Sequence, residues 1–172
     1  MLILFLLGSF MVVYTPSPSR RAMEQIFEKD EFELPENDSS RNQMQRIALF
    51  AIYDILTYLD MKEPVDVQSI VSGLTDVDYE NADYFVKAAA VYTVKYLSDI
   101  IPVFNAHMNK WTFDRLNRVE QAILLLSYIH YFHIEEVDKG VVIDIAVRLA
   151  KVYLDAKDYR FVNAVLDKVL VK

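Results

Sequence analysis

Three amphipathic patterns follow one another between Trp111 and Leu170 with hardly a residue between them. In the first, Leu116, Val119, Ile123, Leu126 and His130 recur at alternating steps of three and four, which puts them on one face of a helix. Arg115, Arg118 and Gln121 fall off that stripe. The second pattern opens after Asp138, a good N-cap residue, and directs Val142, Ile143, Ala146, Leu149, Ala150 and Tyr153 inward. The third uses Asp158 in the same way, with Phe161, Val162, Val165, Leu166 and Val169 inward. Links this short predict antiparallel neighbours packed as a bundle.

Upstream, Ser40 to Gln43 has the spacing of a capping box, and the helix it opens carries Ile47, Phe50, Ala51, Tyr53, Ile55, Leu56 and Leu59. So little polar face is left that this helix is expected to be central and buried. A shorter amphipathic helix follows over 65–74, with Gly73 where it should stop. The longest pattern then runs from Asp78 to Met108, with Tyr84, Phe85, Ala88, Val91, Tyr92, Val94 and Leu97 as its buried side. Pro102 should kink it or divide it in two. No alternating strand pattern and no internal repeat occurs, so the predicted class is all-α, with about six to seven helices.

Residues 1–38 differ in kind. The apolar run MLILFLLGSFMVVY is shorter than the roughly 20 residues a membrane crossing needs. It also lacks the positive leader of a signal peptide, because Arg20 and Arg21 follow it. It reads as a start codon assigned too early, with Met11 or Met23 as the true start, or as an extension packing on the body. Prolines and the acidic KDEFELPEND then make a linker, which leaves 39–172 as one helical domain.

The chain has no cysteine, which removes disulfides, Cys-based zinc sites and thiol nucleophiles and suits a reducing cytoplasm. Its formal charge of -7 argues against an autonomous nucleic-acid binder, while leaving room for a local basic patch or attraction to a basic partner.

Several stretches carry a resemblance. Trp111, Arg115-Leu116, Ala122-Ile123-Leu124, Ala146-Val147-Arg148-Leu149-Ala150-Lys151 and Phe161-Val162-Asn163-Ala164-Val165-Leu166 follow in order. This series resembles the C-terminal half of the NusB family of bacterial transcription antitermination factors. Ala48 to Tyr53, Tyr84-Phe85 and Leu97-Ser98-Asp99 extend the similarity more loosely, so that it covers about 40–170. The chain departs from the family pattern at Leu125 (usually Arg), His130 (Glu), Asp138 (Pro), Ile145 (Glu) and Ala164 (Gly).

The resemblance implies a fold of two packed helical bundles and two binding surfaces. The family's first helix opens with an arginine-rich run that, with the loop before the last helix, faces boxA RNA. Here Arg41 occupies one of those arginine positions, Arg46 is an added positive, and Asn42, Gln43 and Gln45 stand at others. Each lost cation removes counterion release, so this edge should bind RNA more weakly. At the other end, Lys157 and Arg160 are candidates for phosphate contacts and Phe161 for stacking on a base. The competing reading puts Phe161 in the core and the cations in solvent.

The second implied surface, with Tyr53, Asp114 and Glu120, takes NusE, a ribosomal small-subunit protein. Acidic groups and an amphipathic ring suit a basic partner, although Glu120 could equally pair with a neighbouring arginine and Tyr53 fill core.

His130 and His133 near Glu135 and Glu136 are the one metal-like constellation, but zinc needs a third ligand and His130 lies on the inward stripe. No metal and no cofactor is expected. Nothing converges for catalysis: there is no Gly-rich phosphate loop and no Gly-x-Ser-x-Gly. The family fold also occurs in rRNA cytosine methyltransferases, but that chemistry needs a catalytic cysteine. The expectation is a cytoplasmic, non-enzymatic adaptor with no small-molecule substrate, holding boxA-like RNA with NusE in a transcription elongation complex. The alternative is a protein-interaction or homodimerisation module that has lost RNA binding.

Overall fold

The computed structural model describes residues 40–171, and the readings made for residues 1–38 lie outside them. Six α-helices and no strand are present among the described residues: α1 (Ser40–Asp60), α2 (Val67–Thr75), α3 (Tyr84–His107), α4 (Arg118–Ile129), α5 (Lys139–Tyr153) and α6 (Asp158–Val169). Short 3-10 turns at Tyr79–Asn81 and Phe113–Arg115 precede α3 and α4, and α4 runs on into a π-helical turn, His130–Ile134.

The helices group by threes. α1, α2 and α3 each touch the other two, as do α4, α5 and α6, and the two bundles meet where α1 and α3 pack on α4 and α3 also reaches α6. One apolar core runs through both, with Ile52, Ile55, Phe104, Ile123, Leu124, Leu125 and Leu166 fully enclosed. Ion pairs fix the direction of α1 against α4. Arg118, at the start of α4, reaches Asp60 and the Leu56 carbonyl near the end of α1, whereas Arg41, at the start of α1, reaches Glu135 beyond the end of α4. The two helices are therefore antiparallel.

The inward stripes of α5 and α6 are as the periodicity predicts, with Val142, Ala146, Leu149 and Ala150 buried on one and Val162, Val165, Leu166 and Val169 on the other. Asp138 caps α5 by accepting from the Gly140 N–H at 2.7 Å.

Other expectations need correction. Asp158 is already helical, and no side chain caps α6. Ser40 is likewise the first helical residue of α1, so the cap position precedes the described residues. Gly73 does not end α2: the helix continues to Thr75, and the stop is Asp76, whose backbone turns left-handed (φ 56°) while its N–H bonds the Ser72 carbonyl. Leu59 lies exposed at the end of α1.

The buried side of α3 differs most. Tyr84 (63% exposed), Val91 and Val94 face outward, and the packed face is Phe85, Val86, Ala88, Ala89, Ala90, Thr93, Ile100 and Phe104. Small residues win because α1 and α4 both approach this helix, and alanine lets backbones come close. The Thr93 hydroxyl donates to the Ala89 carbonyl at 2.7 Å, which removes its burial penalty. Pro102 divides nothing: α3 is continuous through it. Both Pro102 and Ser98, whose carbonyl loses its helical donor, are exposed, so water can replace the missing bond.

Candidate nucleic-acid interface and partner surface

The start of α1 carries Arg41, whose guanidinium is engaged within the chain. It pairs with Glu135 and lies 4.7 Å from the centroid of the Phe85 ring. Glu135 also holds His130, with Nε2 2.6 Å from the carboxylate, and the His130 ring meets Phe85 edge-on at 4.9 Å. Arg41, Phe85, His130 and Glu135 thus form one cluster joining α1, α3 and the π turn. The nearness of His130 and Glu135 is legible in the sequence, but the Arg41 contact is not, since Glu135 is 94 positions from it. Arg46 is half-buried one turn further along α1.

His133, the other half of the metal-like pair, points elsewhere and stacks on Tyr96 with ring centroids 4.3 Å apart. Among the described residues no three His, Asp or Glu side chains are grouped to hold a metal.

Burial holds the His130 imidazole below its ordinary range, against the upward pull of Glu135, with Arg41 adding a smaller downward push. Burial and the Lys95 charge lower His133 as well. The consequence for stability has a definite sign. As pH falls through about 6.5, the unfolded chain takes up protons on both imidazoles before the native state does, so stability falls. Burial raises Glu120 and so acts oppositely, but only near the carboxylate range. The urea midpoint should therefore drop between pH 7.5 and 5.5, and His130→Leu should flatten that dependence. An equal slope in the variant would show that His130 does not carry it.

The α6 end of the expected RNA face is built differently. Lys157 and Arg160 are exposed, and no carboxylate among the described residues pairs with either. Phe161 is half-buried and packs against the core. Beside it, Tyr159 has the Arg160 guanidinium 5.9 Å and the Lys151 ammonium 5.2 Å from its ring centroid. A hydrogen bond from Arg160 and its charge pull the Tyr159 hydroxyl below its ordinary value, and Lys151 adds to this. Lys157, Arg160 and Phe161 are thus together, while Arg41 sits at the far end of α4, beside Glu135. Tyr159 was not singled out from sequence, although an aromatic directly before Arg160 was the available signal.

On the partner surface, Tyr53 lies half-buried on α1, close to Arg118, whose guanidinium burial lowers and Tyr53 raises. Asp114 is exposed on the 3-10 turn just before α4. That turn is pinned from behind: the Asn105 side chain accepts from the Phe113 N–H at 2.7 Å, and the Gln121 amide donates to the Phe113 carbonyl at 2.8 Å. Gln121 is therefore buried, contrary to its reading as a residue off the stripe. Glu120 is only 8% exposed. Its carboxylate accepts from the Asn117 N–H at 3.1 Å while Asn117 accepts from the Glu120 N–H at 2.9 Å, a reciprocal cap that starts α4. The pairing with a neighbouring arginine allowed from sequence is replaced by this cap.

Comparison with known proteins places this geometry. The NusB family model matches residues 42–171, which takes in the six helices except the first two residues of α1. The chain belongs to the NusB family. It is similar to the transcription antitermination protein NusB of Oceanobacillus iheyensis, at 28% identity over 118 residues, 69% of this chain and 91% of that protein. The Geobacillus kaustophilus protein of the same name is 30% identical over 129 residues, 75% of this chain and 94% of the relative. A solved structure of T. maritima NusB superposes with a TM-score of 0.61 at 25% identity, covering 76% of this chain and 89% of that one. The NusB fold is thus kept at 25–30% sequence identity. Among the described residues no helix is long and apolar enough to cross a membrane.

Proposed function

We propose that this chain, with residues 39–172 as its folded body, is a non-enzymatic transcription antitermination adaptor. It binds boxA-like RNA jointly with NusE during rRNA transcription. The observation that carries this reading is the family match over the helical body, with relatives named as antitermination proteins that are matched over nearly their whole length. Tyr53 and Asp114 present a ring and a carboxylate to a basic ribosomal protein, and Glu120 acts behind them by fixing the start of α4. Lys157 and Arg160 supply unneutralised charge for phosphate, with Phe161 at the same helix start, and Arg46 and Arg41 lie along α1.

The pairing of Arg41 with Glu135 and the low charge of the α1 edge favour a second reading, in which the fold serves protein association and RNA is no longer bound. One experiment separates the two: fluorescence anisotropy of a boxA-type RNA with this protein at two salt concentrations, with and without NusE. The adaptor gives salt-sensitive binding that tightens when NusE is added. Absence of binding in every arm leaves the association module, to be followed by light scattering across concentrations.

A further inference from the structure

The α1 edge of the RNA face is short of charge, because Gln45 stands where the resemblance places a family arginine and Arg41 is paired with Glu135. The fold brings a guanidinium back to that place from another helix. Arg148 of α5 donates to the Gln45 side-chain oxygen at 3.0 Å. Lys151 follows at a spacing of three, on the same outward face of α5, and its ammonium leans over the Tyr159 ring that Arg160 flanks from α6. Arg148, Lys151 and Arg160 are exposed and Tyr159 is half-buried. Among the described residues none of these three cations has a carboxylate partner, whereas Arg41, Arg118 and Lys139 all do. A track of free positive charge around an aromatic ring therefore runs from Gln45 across α5 to the start of α6. Asp144 and Asp155, exposed one turn before Arg148 and one turn after Lys151, limit its length.

We infer that Arg148, Lys151 and Tyr159 bind single-stranded RNA, α5 providing phosphate contacts that α1 has given up. The inference rests on the RNA reading above and names which residues carry it. Its chemistry is that of single-strand binders: cations follow the backbone, and a ring beside them offers a face for a base. Lys151 and Arg160 on either side of Tyr159 bring phosphate contacts next to the stacking platform.

The test uses the full chain and a boxA-type single-stranded RNA in anisotropy titrations at two salt concentrations, with NusE present and absent. Arg148→Gln and Lys151→Gln should each weaken binding and make the log–log salt slope shallower by about 0.7, the value for one phosphate contact on a single strand. Tyr159→Leu should weaken binding by about fivefold or more without changing the slope. A thermal melt of each variant verifies folding, and Lys151→Gln with Tyr159→Leu leaves the Arg148–Gln45 contact intact should Arg148→Gln fold poorly. If the parent protein binds and these variants keep both affinity and slope, the inference is overturned and the RNA reading stands. If the parent binds no RNA with or without NusE, the RNA reading fails and this inference with it.

Discussion

Replacing Phe104 with alanine should lower the free energy of unfolding by about 3–5 kcal/mol, the range for deleting an enclosed aromatic side chain. Phe104 is fully buried near the end of α3, stacked on Phe113 at 5.6 Å between centroids and set edge-on to Tyr128 at 5.9 Å. Its neighbours are held by backbone bonds and by α4, so the site cannot collapse freely into the void, which puts the cost in the upper part of that range. The effect should also reach function. Phe113 anchors the 3-10 turn that presents Asp114, and with Phe104 gone the turn keeps its own backbone bonds and those with Asn105 and Gln121 but loses the ring packed beneath it. Urea unfolding gives the first number. A NusE titration of the folded variant gives the second, and unchanged NusE affinity would mean that the turn does not contribute to the partner surface. A loss under about 1 kcal/mol would contradict the packing described here.

What could be read from sequence follows from how one-sided each helix is. α5 and α6 bury one stripe each, and 3.6-residue periodicity finds such stripes reliably. α3 is apolar nearly all round, so periodicity could not choose a face. The choice took Phe85 and Ala88, which are buried, but added the large Tyr84, Val91 and Val94, where the packing uses Val86, Ala89, Ala90 and Thr93. Helix stops failed for a related reason. Gly73 tolerates the left-handed stop but does not compel it, and Asp76 took that conformation three residues later with a backbone bond to Ser72.

The surfaces divide similarly. Residues at the start of α6, Lys157, Arg160 and Phe161, are neighbours in sequence and remain neighbours in space. Arg41 and Arg148 depend on partners roughly a hundred positions away, Glu135 and Gln45, and no local pattern encodes those contacts. Glu120 shows the limit of residue type as a guide. A carboxylate suits a basic partner and equally suits a capping box, and only the observed reciprocal bonds with Asn117 assign it to the cap. The resemblance adds the surfaces as wholes. Which side chain on each surface is free to bind depends on the pairs that this chain alone makes.

The same dependence on context yields the second large effect, at Leu125. The family pattern usually carries arginine at this position, but here the side chain is fully enclosed on α4, with Leu124 and Leu126 also buried. Leu125→Arg should therefore destabilise the fold by about 3–5 kcal/mol, the cost of leaving a charge buried without a partner. The polar groups that α4 does bury each have an answer: Gln121 bonds the Phe113 carbonyl, Ser127 the Ile123 carbonyl, and Glu120 the Asn117 N–H. An arginine at 125 brings five donors to a wall of leucine and isoleucine, and the position where the pattern carries glutamate is occupied by His130, already bonded to Glu135. The reverse of ordinary expectation follows, in that restoring a family residue harms this member. Denaturant titration of the variant against its parent tests it directly. A variant as stable as the parent would show that the side chain escapes to water, and that α4 is less enclosed than its packing between α1, α3, α5 and α6 implies.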